Sequence, residues 1–285
     1  QAAIAAITYS SVSENPDETT REITVSVNDG ELDSAVRTAS ITVTAVNDAP
    51  TGSIAPVTVT EDTPVNGNVL TSVTDAEGDP VTVASASIDL DGDGTPDALT
   101  LGTPSDIVDA MGNPVGTIQV NADGSYTFTP AQDYNGPVPD LTIVPTDGTD
   151  DGAPLTLSFG SVAPVNDAPV ANDDDLASDE DTGFNGNIFD DNGNGADIDV
   201  DMDTFTVTRV TGGTDTAALA GLADGTNVGM AIAGSNGGTF TLNTDGTISF
   251  DPGADFNDLD TGESRTTSIV YQVDDGNGGT ATAVA

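Results

Sequence analysis

The sequence predicts an all-β protein, with antiparallel β-sandwich domains in tandem forming an extended array. Three observations carry that expectation. The pentapeptide VNDAP stands at Val46–Pro50 and again at Val165–Pro169, 119 residues later, and self-similarity at a fixed spacing signals a string of domains rather than one large core. Thirty-two glycines and 16 prolines accompany many Thr and Val residues, which favours strands and tight turns over helices. Short alternating apolar runs recur with turn signals about every ten residues, as in a sandwich.

Taken in order, residues 1–46 read as the C-terminal part of a domain. REITVSVNDG and ASITVTAV alternate as strands, and Asn28-Asp29-Gly30 opens the hairpin between them. QAAIAAI ahead of them reads as one short helical turn. Residues 47–165 form the next domain, and residues 166–285 a further one that lacks its final segment. These two align internally. GTIQVNADGSYTFTPAQDYN (116–135) lies over GTFTLNTDGTISFDPGADFN (238–257), with nine of the twenty positions identical. Asp123-Gly124 and Asp245-Gly246 fall at the same hairpin turn. Ile118, Val120, Tyr126 and Phe128 alternate as Phe240, Leu242, Ile248 and Phe250 do, which suits half-buried strand pairs. Tyr126 and Tyr134 are expected in the core or at a tyrosine corner. LTIVPTDG and SIVYQVDDG place Asp147 and Asp275 where Asp29 sits in VSVNDG.

Composition narrows the function. The chain has 48 acidic residues against 4 basic ones, a formal net charge of −44, which argues against nucleic acid as a partner and against an anionic membrane surface. No apolar run reaches the length of a membrane span, so no direct insertion is expected. The N-terminus shows neither the basic region nor the cleavage pattern of a signal peptide. The chain starts and stops inside repeats, as a window cut from a longer protein would. Cysteine, histidine and tryptophan are absent, which removes disulfide staples, the commonest general base and the best sugar-stacking ring. Ser and Thr therefore have no evident activating base, no Asp pair stands out as an acid–base couple, and no enzymatic activity is expected. A solvated acidic surface explains part of the charge. It does not explain the choice of acid: 40 Asp, 8 Glu and no Lys. Short carboxylates in Gly-rich turns suit chelation.

One such loop is self-contained. In DLDGDGTPD, Asp89, Asp91, Asp93 and Asp97 occupy loop positions 1, 3, 5 and 9, and Gly94 occupies position 6. That is the spacing of an EF-hand calcium loop, in which the glycine permits a sharp turn and position 7, here Thr95, offers its backbone carbonyl. The closing glutamate is missing, since position 12 is Thr100, and strand-like ALTL follows in place of a helix. The loop reads as a calcium site in an insertion.

At VNDAP, at EDT (Glu61–Thr63 and Glu180–Thr182), at DAEGDPVTV and DVDMDTFTV, and at TPAQDYNG and YQVDDGNGGTATA, the chain resembles the cadherin-like and VCBS-type repeats of large RTX-type bacterial surface adhesins. The resemblance covers essentially the whole chain and is closest to a VCBS repeat in residues 166–285. The insertion IDLDGDGTPDALTL and the IVPTDG strand depart from the pattern. It implies immunoglobulin/cadherin-like sandwiches, exported to the bacterial surface, with Ca2+ as cofactor at the joints between domains. Carried over by position, the first joint would use Asn47, Asp48, Asp75, Glu77, Asp79 and Asp147. The second would use Asn166, Asp167, Asp199, Asp201, Asp203 and Asp275, with Glu61 reaching it from the preceding domain. The implied function is a calcium-rigidified extender, or stalk, of an adhesin acting in cell adhesion. Its partners would be calcium ions and neighbouring repeats of the same chain. Two other readings stay open: a carbohydrate-binding accessory module of a secreted enzyme, and a subunit of an extracellular filament or surface layer in which identical chains are the partners.

Overall fold

The structure is a computed structural model and describes residues 10–285; the helical turn expected at QAAIAAI lies outside the described residues. Contacts divide the chain into two compact units, Gln1–Pro164 and Val165–Ala285.

Alternation in the sequence becomes alternation in burial. In the first unit, Leu141–Thr146 and Ser125–Pro130 each bury every second residue and leave the others partly or fully exposed. Four strands, Val65–Asn68, Ser125–Pro130, Pro114–Val120 and Ser105–Val108, form one antiparallel sheet in that order. Leu155–Leu157, Leu141–Thr146, Thr82–Ile88 and Asp97–Ala98 form a second. Their buried faces share one core, in which Ile88, Ile107, Ile118, Phe128, Leu141 and Ile143 are fully enclosed. That is a β-sandwich. Val59–Thr60 pairs in parallel with Val162–Ala163, so a strand near the start of the sandwich runs beside the one that closes it. Ahead of it, Arg21–Val25 and Arg37–Ile41 form an antiparallel pair, with Asn28 bridged to Asp33 in the connection.

The second unit repeats the plan with fewer strands. Phe184–Asn187, Thr247–Asp251, Thr239–Leu242 and Ala231–Ala233 form one sheet, and Thr206–Gly212, Ile269–Asp274 and Thr280–Val284 the other. Ile188, Val210, Leu242, Ile269, Tyr271 and Val273 fill the space between them. One 3-10 turn, Thr216–Leu219, is capped by the Asp215 carboxylate, which accepts from the Ala217 N–H at 2.9 Å.

The two aligned segments adopt the same hairpin. Ile118 faces Phe128 and Val120 faces Tyr126, as Phe240 faces Phe250 and Leu242 faces Ile248. At the turns, Gly124 and Gly246 hold φ of +82° and +78°, a region open to glycine at no steric cost. A side chain there would also strike Leu70 and Asn68 in one unit, or Phe189 and Asn187 in the other. Tyr126 is buried, and Tyr134 packs on the core with its hydroxyl donating to the Pro137 carbonyl at 2.6 Å.

Candidate metal centre

Each VNDAP segment sits in a nest of carboxylates built by the same rules. In the first unit, Asp75 follows Val73–Thr74, which pairs with Thr51–Gly52, and turns the chain by accepting, through Oδ1, the N–H groups of Glu77 at 3.0 Å and Asp79 at 3.1 Å. Glu77 Oε2 accepts the Asp48 N–H at 3.1 Å. The Asn47 amide donates to Asp147 Oδ2 at 2.9 Å and to Asp150 Oδ2 at 2.8 Å. Asp147 Oδ1 closes its own hairpin by accepting from Thr149 and Asp150. Those N–H groups, together with the Asn47 amide, hold the Asp147 carboxyl below its ordinary value.

In the second unit, Asp199 Oδ1 accepts from Asp201 at 2.9 Å and Asp203 at 3.4 Å. Asp201 Oδ2 accepts the Asp167 N–H at 2.7 Å, and the Asn166 amide donates to Asp275 Oδ2 at 2.8 Å. Asp275 is buried, its Oδ1 accepting from Asn277, Gly278 and Gly279. The Asn166 amide first, then these N–H groups, hold its carboxyl below the usual range. The backbone approaches so closely that a side chain on Gly279 would overlap Asp275 Oδ2 and the Ala168 backbone.

In both nests, one oxygen of each key carboxylate is used to shape the chain. Other carboxylate oxygens are left over: Asp75 Oδ2, Glu77 Oε1 and Asp199 Oδ2 are buried without a hydrogen-bond partner among the described residues. An ionised oxygen in that position is costly unless a counter-charge meets it. The donor set is all oxygen, which matches a hard cation.

The insertion loop connects Thr82–Ile88 to Asp97–Ala98 as a hairpin. Asp89 accepts from Gly92 and Gly94 at 2.8 Å each, and Asp97 Oδ2 accepts from Leu90 at 3.0 Å. Carboxylate oxygens of Asp89, Asp91 and Asp97 lie within 4.8 Å of one another. Asp93 turns to Thr95 instead, accepting its N–H at 2.7 Å and its hydroxyl at 2.5 Å. The Thr95 contacts lower the Asp93 carboxyl. Gly92 is pressed against the Asp109–Ala110 backbone, where no side chain fits. Glu61 is buried at the end of Val59–Thr60, its N–H donating to Ala163 at 3.0 Å.

Three participants escaped the sequence reading. Asp150 shares the Asn47 amide, Asn277 donates to Asp203 Oδ2 at 2.6 Å, and Asn15 donates to the Glu77 carbonyl at 3.0 Å. The first two sit in hairpins already marked by Asp147 and Asp275. Nothing local marks Asn15.

Comparison with known proteins places these nests in a family context. Residues 166–285 match the family model for the bacterial cadherin-like domain, and residues 47–160 that for the bacterial Ig domain. The chain carries bacterial Ig and cadherin-like domains in tandem. Each VNDAP nest thus begins with the Asn-Asp at the start of one of these matched domains. Among curated proteins no match is found. Solved structures with some likeness include the endo-fucoidan hydrolase MfFcnA4 from glycoside hydrolase family 107, 12% identical over 94% of this chain and 33% of that one, with a TM-score of 0.28. The surface layer protein SbsC, domains 4-9, is 16% identical over 92% of this chain and 34% of its own, with a TM-score of 0.26. The BSP domain of a biofilm associated protein is 20% identical over 82% and 28%, with a TM-score of 0.18. This cadherin-like tandem therefore spans about a third of the length of those structures.

Proposed function

We propose that the chain is an extender segment of a secreted or cell-surface bacterial adhesin, made stiff by calcium bound at the VNDAP nests. The observation that carries this reading is the recurrence of one carboxylate arrangement at both nests, each with at least one buried oxygen that has no donor among the described residues. Asn47, Asp48, Asp75, Glu77, Asp79 and Asp147 would hold ions at the first, and Asn166, Asp167, Asp199, Asp201, Asp203 and Asp275 at the second. Asp89, Asp91 and Asp97 would hold one more within the first unit. Calcium takes six to eight oxygens from carboxylates, amides and backbone, and such nests offer all three kinds. The cation would supply binding energy to the folded state and fix the orientation of the chain on either side of each linker, which contacts between domains otherwise leave free by default.

The test replaces Asp199 and Asp201 with Asn, which preserves size and removes two charges. Small-angle scattering in millimolar calcium should give a shorter, broader distance distribution than the parent, with both units still folded. A mutant as long and stiff as the parent would leave the extender without its mechanism.

A further inference from the structure

We propose that the second unit holds an additional cation site inside the domain, formed by Asp197 and Asp174 with the Asn172 carbonyl and the Tyr271 hydroxyl. Two segments distant in sequence are clasped there. Asn172 to Asp175 run beside the last strand, the Asp174 N–H donating to the Val284 carbonyl and the Val284 N–H to Asp173 Oδ1, at 2.8 and 2.9 Å. The loop from Asp190 to Asp197 closes over them through Asn172 Nδ2 to the Ala196 carbonyl at 2.8 Å and Asn194 Nδ2 to the Asp173 carbonyl at 2.9 Å.

Inside the clasp the polar groups do not balance. Asp197 is 8% exposed. Its Oδ1 accepts the Asn172 N–H at 2.7 Å, while its Oδ2 is buried with no donor among the described residues. The Tyr271 hydroxyl has a single hydrogen and two acceptors, the Asn172 carbonyl at 3.3 Å and Asp174 Oδ2 at 3.0 Å. It can donate to only one of them at a time. Asn172 joins the two, its N–H bound to Asp197 and its carbonyl to the Tyr271 hydroxyl, so the unmet oxygen and the over-subscribed hydroxyl flank one residue. No basic side chain answers it. The arginines of this unit, Arg209 and Arg265, are engaged by Asp224 and Asp258 at 2.7 Å each, and the chain has no lysine or histidine. Two carboxylates, a carbonyl and a hydroxyl, all oxygen, with Asp197 and Tyr271 buried and no basic side chain to balance the charge, suit a hard cation such as calcium. The site stands whether or not the VNDAP nests bind metal.

Native mass spectrometry and equilibrium dialysis of the full chain with calcium alone decide the matter. Asp197→Asn should bind one ion fewer than the parent, and the same loss should appear when it is added to the Asp199→Asn, Asp201→Asn variant. Without metal, Asp197→Asn should melt above the parent, because a buried unmatched charge is gone. Tyr271→Phe, which removes only the hydroxyl, should weaken this one ion by about tenfold or more, the usual effect of losing an orienting partner. An unchanged ion count and affinity in both variants would overturn the proposal. So would a metal-free Asp197→Asn protein that melts lower than the parent, since Asp197 would then serve only to hold the Asn172 N–H.

Discussion

An amide organises each VNDAP nest. Asn47 and Asn166 donate to Asp147 and Asp275, and an acid at either position would set like charges face to face. Because their carboxyls are held below the ordinary value of 3.8, the stability these contacts contribute is present above the usual carboxylate range. It is lost as pH falls through the lower folded-state values. Asn166→Ala should therefore move the Asp275 titration upward, toward the ordinary value, in carboxyl NMR of the metal-free protein. Met202 is the odd residue of the second nest. It holds φ of +63° and is 90% exposed, whereas Gly78 stands at the matching place in the first, at φ +84°. A left-handed residue with a side chain costs about 1–2 kcal/mol, so Met202→Gly should raise the stability of the second unit by up to about 1 kcal/mol in urea unfolding. Much of this scale could be read from the sequence, because Asn-Asp and the acidic triplets repeat. The exception is instructive: Asp197, Asp199, Asp201 and Asp203 look alike in the chain, yet only Asp197 is enclosed. Its burial comes from Asn172, 25 residues away, which no local pattern reports.

The hairpins were the most legible elements. NADG and NTDG announce a turn, the flanking alternation fixes the register, and both hairpins pair as that alternation requires. Their apolar faces fill separate cores, so truncation should be felt locally. Phe128, fully buried against Phe159 at 5.0 Å between centroids, is the sharpest probe. Phe128→Ala should destabilise the first unit by about 3–5 kcal/mol, while the unfolding of the second unit, followed through Tyr271, stays where it was. The insertion loop was legible in spacing but not in detail. Asp93 fits the spacing, yet Thr95 two residues on offers it both an N–H and a hydroxyl, a local alternative that ligand spacing alone does not weigh.

For the molecule as a whole, charge dominates. Two carboxylates about 4 Å apart repel by about 4 kcal/mol at an effective dielectric near 20, and 48 acids face 4 basic residues. Chelating calcium should lower the melting temperature by many degrees. Monovalent salt at equal ionic strength should restore only part of the loss, since screening weakens repulsion whereas a bound ion stabilises the native state directly. Full rescue by salt would mean that general repulsion, and not coordination, governs stability. The parallel pairing of Val59–Thr60 with Val162–Ala163 bears on a different property. Tension applied through the two ends of the first sandwich would drag these neighbouring strands past each other lengthwise. Their hydrogen bonds, with those from Val57 to Ser158 and Glu61 to Ala163 at 3.0 Å each, would then carry the load together in shear instead of parting one at a time like a zip. A domain laced at its ends in this way yields late and all at once.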